Sequence, residues 1–343
     1  MTVAADCELL VKALLATPDA AEVYWQRWRR EVNPDAMPED CVRLLPMLTT
    51  RYPSWLTDDP ARNLMLGLAK RAWTGNQLMM RSVVEAASSL VRAGIAEPVI
   101  AGPAAWALQQ QRGQSFRPIF FLELLVSREH VLTAAGALSQ LGWVPAPGQV
   151  LPREADFDYM EGVWLRNPAG EGLKLTWRLF PAPPERAAEW EGVTPLEEAD
   201  FQGVRLWLPS REAMLADALA GSRDGDLLDW RCDAACLLNS GVINWDRLKR
   251  WIQFSPAARI KLQQLGRETD VAIPLDLRRR PARVWFQYDL VRSDYRQHAS
   301  ASREEPSVAG LLRYLCERWQ TPVWQMPFRG LFYLIRYTFG SPD

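Results

Sequence analysis

The stretch "RPIFFLELLVSREH", Arg117 to His130, sets one carboxylate, Glu123, among large apolar side chains. An ionised carboxylate taken out of water without partners is strongly disfavoured, so an acid there must be exposed, paired, metal-bound or protonated. Downstream, "EADFDYME" holds a D-x-D at Asp156 and Asp158, which is either a relocated divalent-ion site or a pair of solvated acids. Gly102 and Pro103 in "AGPAAW" form a strand-to-helix turn that could receive a nucleotide phosphate, with Arg112, Arg117 or Arg178 as guanidinium forks. The same turn needs glycine on backbone grounds alone, and neither a GxGxxG nor a Walker sequence accompanies it.

The remaining reactive residue types give weaker patterns. Cys232 and Cys236 are four apart and share a helical face, but the chain has 2 histidines and no companion pair to complete a tetrahedral zinc site. They read as small core residues. His130 and His298 lack a GxSxG element and an activated cysteine partner, so triad chemistry has no sequence support. The basic run "LRRRPAR", Arg278 to Arg283, is read as a solvated linker before it is read as a grip on RNA or an acidic partner.

The elements that must position these residues follow from periodicity. Apolar residues recur at three- and four-residue spacing through "CELLVKALLA", "AAEVYWQRWRREV", "EDCVRLLPMLTTRY" and "QLMMRSVVEAASSLVRAGI", with prolines and "TGN" as punctuation. From residue 96 the period shortens to the strands "EPVIAG", "PIFFLELLV", "GWVPA", "YMEGVWLR", "GLKLTWRLF" and "VRLWLP", with helices at "PAAWALQQQR" and "EHVLTAAGALSQL". The helical pattern returns after "LPSREAML", and a terminal candidate helix carries Phe328, Leu331, Phe332, Ile335 and Phe339 as an aromatic stripe. That stripe is read first as core, with partner docking or peripheral membrane contact through 328–339 as the alternatives. The expected organisation is a helical region at 1–95, an α/β core at 96–208 and a helical region at 209–343, giving an α+β class.

Composition sets the outer bounds. With 343 residues, 48% hydrophobic and 24% charged, the chain is long enough for about two domains and belongs to the ordinary globular class. A net charge of −1 gives no broad electrostatic reason to hold nucleic acid or an anionic membrane. Five scattered cysteines make no secreted disulfide framework, and no run approaches a membrane span, so cytoplasm is the expected location.

The order "SLVRAGIAEPVIAGPAAWAL", "FFLELLVSREHVLTAAGALSQLGW", "GLKLTWRL", "LPSREAMLADALA" and "LLDWRCDAACLLNSGVINWDRLKRW" resembles a large bacterial nucleotidyltransferase-like family over roughly residues 75 to 265. The resemblance implies a small mixed sheet flanked by helices, with a helical C-terminal part. It also implies a lysine-glycine or glycine-serine pair after the first strand, an Asp-x-Asp on the next strand and a third carboxylate on a later one. Converging acids of that kind hold magnesium, which neutralises a triphosphate and aligns the attacking oxygen.

This chain departs from that pattern at nearly every chemical position. "FLELLV" stands where the family reads like "DIDLLV", so Phe121 takes the first acid position and Glu123 the second; "LKLTWRL" puts Lys174 at the third and Thr176 at a histidine position. At the turn Gly102 is kept, Ala101 replaces the lysine, and Pro103 lacks an N–H to donate to an anion. Glu123 is therefore a remnant, and Gly102, Arg117, Lys174 and Arg178 are the residues left for a nucleotide. The expected role is a catalytically degenerate binding or assembly module for another protein, which needs no cofactor. The alternatives are an active transferase using magnesium and a nucleoside triphosphate through an unconventional acid set, and an RNA-binding protein. If the two strands neighbour each other as the resemblance implies, strand alternation puts Lys174 within about 4 Å of Glu123, in the range of an ion pair, with Arg178 as reserve partner.

Overall fold

A computed structural model describes residues 5–33, 36–111, 117–153, 157, 160–179, 196–201, 203–220, 229–239, 241–252, 256–269, 271–278 and 311. The aromatic stripe at 328–339, Arg112, Asp156, Asp158, His298 and most of the basic run after Arg278 lie outside these residues. Among the described residues no helix is long and apolar enough to cross a membrane.

The chain begins with helices α1 (Ala5–Leu15), α2 (Pro18–Glu31), α3 (Glu39–Arg51) and α4 (Arg62–Arg92). Proline at the first position of α2 suits a helix start, because its missing N–H would have had no intrahelical acceptor. The "TGN" at 74–76 was expected to break the pattern, yet α4 runs through it for 31 residues. The reason is tertiary. Asn76 is buried, and its amide bonds the approach to the second strand on both sides: Nδ2 donates to the Arg117 carbonyl at 2.7 Å and Oδ1 accepts from the Ile119 N–H at 2.8 Å. Two satisfied backbone groups outweigh the poor helix propensity of Gly75 and Asn76, which together costs on the order of 1–2 kcal/mol.

The sheet comprises β1 (Val99–Ala101), β2 (Leu122–Leu125), β3 (Val144–Pro145), β4 (Gly162–Arg166), β5 (Gly172–Thr176), β6 (Leu196–Phe201) and β7 (Val204–Pro209). Their spatial order is β3-β4-β5-β2-β1-β7-β6. It is mixed: β2 runs parallel to β5 and antiparallel to β1, and β1 runs parallel to β7. With the helices this is the α+β class expected from the alternation of periods. Helix α5 (Gly102–Gln111) links β1 to β2, and α6 (Val131–Gln140) follows β2. Among the described residues five further helices, α7 (Arg211–Ala220), α8 (Trp230–Asn239), α9 (Trp245–Ile252), α10 (Pro256–Glu268) and α11 (Leu275–Arg278), follow the sheet.

Two strand expectations need correction. "PIFFLELLV" forms a strand only over Leu122–Leu125, because the residues before it are bonded to α4 instead of to a neighbouring strand. The acid-rich "LEEADF" was not read as a strand, but it is β6, an edge strand with its side chains half in water. The overlooked signal is the tight hairpin: Phe201 pairs with Val204, and Gly203 between them has φ of 82°.

Side-chain alternation divides the sheet into a sealed face and a partly open one. Ile100, Leu122, Leu124, Val163, Leu165, Leu173 and Leu175 are buried on one face. On the other, the register aligns Ala101, Glu123, Lys174 and Trp164 in one rung across β1, β2, β5 and β4. The buried apolar side chains form one cluster that runs from Cys7 to Leu277, so all three sequence-defined regions contribute to the same core.

Arg117 joins these regions. Its side chain is fully buried; Nε and one terminal nitrogen donate to Asp233 of α8 at 2.7 and 2.9 Å, and the other donates to the Pro118 carbonyl at 2.7 Å. The guanidinium lies 4.9 Å from the Trp106 ring centre on α5. Removing one member of such a pair strands the other charge in the interior. Asp233→Ala is expected to lower unfolding free energy by about 3–5 kcal/mol in urea titration, and Asp233→Glu, which keeps the charge, by less.

Candidate functional site

The site builds outward from the β2/β5 register. Glu123 and Lys174 are direct neighbours on parallel strands, so both side chains leave the same face. The Lys174 Nζ stands 3.8 Å from Glu123 Oε1, as strand alternation predicted, at a distance that is an ion pair and longer than a hydrogen bond. Burial is unequal. Glu123 is 1% exposed and Lys174 22% exposed, so the ammonium is the end of the pair that reaches water. Four apolar methylenes carry the charge of Lys174 across the strand surface toward the Glu123 carboxylate.

Aromatic rings flank the pair. Phe121, two residues before Glu123 on the same face, is buried and meets Trp164 edge to face, with ring centres 5.0 Å apart and planes at 66°. Trp164 is itself the cross-strand partner of Lys174. The rung therefore reads alanine, acid, lysine and indole, with a phenyl ring beside it where the resemblance would put an acid.

The other candidate residues have structural partners of their own. Gly102 directly follows Ala101 at the start of α5 and has φ of 58°, in the left-handed region that other residues occupy at a cost. Its backbone requirement is thus met by geometry without a ligand. Arg117, expected to be a phosphate fork, has no exposed surface and its donors face Asp233 and Pro118. Arg178, the reserve partner for Glu123, is also buried and donates to the Phe157 carbonyl at 2.7 Å. Thr176 is buried with its hydroxyl 2.5 Å from the Glu161 carbonyl and 2.7 Å from that of Arg178. These contacts fix the end of β5 instead of facing a cleft.

Sequence reading missed Asp233 and Asn76. Asp233 lies within "WRCDAACLL", on a helix whose residues from Arg231 to Ala235 are all buried, so an acid in the inward stripe was the available signal. Its pairing with a residue 116 positions away had no local trace.

Nucleophile chemistry gains no support from the thiols of α8. Burial pushes Cys236 up to about 12, and the Asp233 carboxylate adds to it; burial drives Cys232 upward as well. Before α6, Ser127 Oγ lies 2.7 Å from His130 Nδ1, and Glu129 approaches the same nitrogen at 3.9 Å. A serine–histidine–acid relay needs the serine and acid on opposite ring nitrogens, so this is a turn contact and not a triad. Among the described residues no group of three or more His, Cys, Asp and Glu side chains is arranged to hold a metal ion.

No known family model matches the chain, and no curated protein matches it either. Its chemistry must therefore be argued from the Glu123–Lys174 rung, which makes two measurable claims. Lys174→Leu should cost about 1–3 kcal/mol, below the range for a fully buried pair because the lysine is part-solvated. Glu123→Leu combined with it should cost less than the sum of the single changes, a coupling that a double-mutant cycle in urea measures. Gly102→Ala should lose about 1–2 kcal/mol through its left-handed backbone alone, by the same assay.

Proposed function

We propose that this chain is a degenerate nucleotidyltransferase-like protein that serves as a binding or assembly module for another protein. The observation that supports the reading is the Glu123–Lys174 pair at 3.8 Å in direct cross-strand register. In the resemblance these positions belong to the second and third metal-binding acids. Here one carries a negative charge and the other a positive one.

The electrostatics argue for loss of metal-dependent transfer. Magnesium prefers near-octahedral oxygen coordination and gives up water reluctantly, so one carboxylate is a poor ligand set. An ammonium 3.8 Å from that carboxylate neutralises it and repels an approaching divalent cation. Phe121 adds no ligand, and its ring faces Trp164. The apolar side chains around the rung pack into one buried cluster, and a packed framework without such reacting groups suits recognition better than catalysis.

Calorimetric titration of MgATP and the other magnesium nucleoside triphosphates, with a labelled-nucleotide transfer assay, tests this. The expected outcome is no magnesium-dependent binding and no transfer to the protein or to added acceptors. Transfer that disappears in Glu123→Gln but persists in a surface change such as Glu85→Ala would restore the active-transferase reading.

A further inference from the structure

Outside the sheet, two cysteines come together that sequence spacing did not pair. Cys7 lies on α1 and Cys41 on α3, 34 positions apart, and neither has any exposed surface. Their Sγ atoms are 2.6 Å apart. Carbon atoms in non-bonded contact in a packed interior rest about 3.5–4.0 Å apart and sulfur is no smaller, whereas sulfurs joined covalently lie at about 2.03–2.05 Å. The observed approach is well inside non-bonded packing and within reach of a bond. A thiolate metal site is the other arrangement that draws cysteines together, but no third ligand joins this pair among the described residues.

We propose that Cys7 and Cys41 are a disulfide-forming pair that staples α1 to α3, oxidised by exchange with a low-molecular-weight disulfide such as oxidised glutathione. One cysteine thiolate attacks a glutathione sulfur, forms a mixed disulfide and releases one glutathione thiolate. The second cysteine thiolate then attacks the first cysteine's own sulfur in that mixed disulfide and releases the other glutathione thiolate. The two cysteines give up two electrons and two protons, and both pass to the two glutathione thiols that leave. Because both sulfurs are enclosed, exchange proceeds when α1 lifts from α3 and the product is shielded once α1 returns.

The bond would act on a contact that matters beyond the two helices. Glu8, adjacent to Cys7, accepts hydrogen bonds from Arg231 of α8 at 3.0 and 2.7 Å. Arg231 is two residues from Asp233, the partner of Arg117. Holding α1 against α3 therefore keeps Glu8 presented to the helix that anchors the approach to β2.

The test uses the full chain equilibrated in glutathione buffers from fully reduced to mostly oxidised, with and without enough urea to loosen α1. Samples are acid-quenched, alkylated and digested without reduction. The expected result is a peptide pair joined through Cys7 and Cys41, two hydrogens lighter than the separate peptides, whose yield rises with the oxidised fraction. The thermal transition should rise in step, and Cys41→Ala should abolish that redox dependence. Recovery of Cys7 and Cys41 as alkylated or separately glutathionylated residues at every ratio overturns the proposal. So does a joined pair that leaves the thermal transition unmoved. If Cys41→Ala fails to fold, the peptide map and transition of the natural chain still decide.

Discussion

A guanidinium enclosed in an apolar interior cannot shed its proton, so Arg117 requires a fixed anion, and the surrounding architecture is arranged to supply one. Asp233 meets it with two parallel hydrogen bonds, and Trp106 lends the face of its indole. The backbone of the same residue is held by Asn76 from α4. One position thus receives contacts from α4, α5 and α8, and the strand that follows it carries Glu123. The position of that acid depends on a charge pair from the helical region after the sheet, which makes the sheet and that region mechanically continuous.

The two ion pairs meet different demands. Arg117 and Asp233 are both shut away, so their pairing fixes geometry with little chance of exchange. Glu123 and Lys174 share a rung that opens toward Trp164, and the lysine keeps part of its surface in water. Such a pair can part without unfolding the strand beneath it. Local rearrangement there is therefore cheaper than at Arg117, although the two are only six residues apart in sequence.

How much of this was legible in advance depends on the range of the interactions. The period change near residue 96 was readable from alternation along short segments, and the Glu123–Lys174 pairing from alternation once the resemblance implied that β2 and β5 are neighbours. Asn76 inside α4 was misread as punctuation, since its favourable partners are backbone groups more than forty positions away. Arg117 looked like a phosphate ligand because arginine serves anions of either kind, and nothing local distinguishes an aspartate from a phosphate. β6 was overlooked because three acids in six residues hide the inward members Ala199 and Phe201.

Those acids give β6 another property. Among the described strands it forms one border of the sheet, and the opposite border, β3, is a two-residue strand ending in Pro145. An unpaired strand border is a template on which a second chain can add its own strand. Glu198, paired with Arg205 of β7, and Asp200 stand exposed along one border, while Glu197 turns inward to accept from Gln109. The other border is too short, and carries a proline with no N–H to donate. Among the described strands, the sheet thus ends on one side in charged side chains and on the other in a strand too short to template an added one.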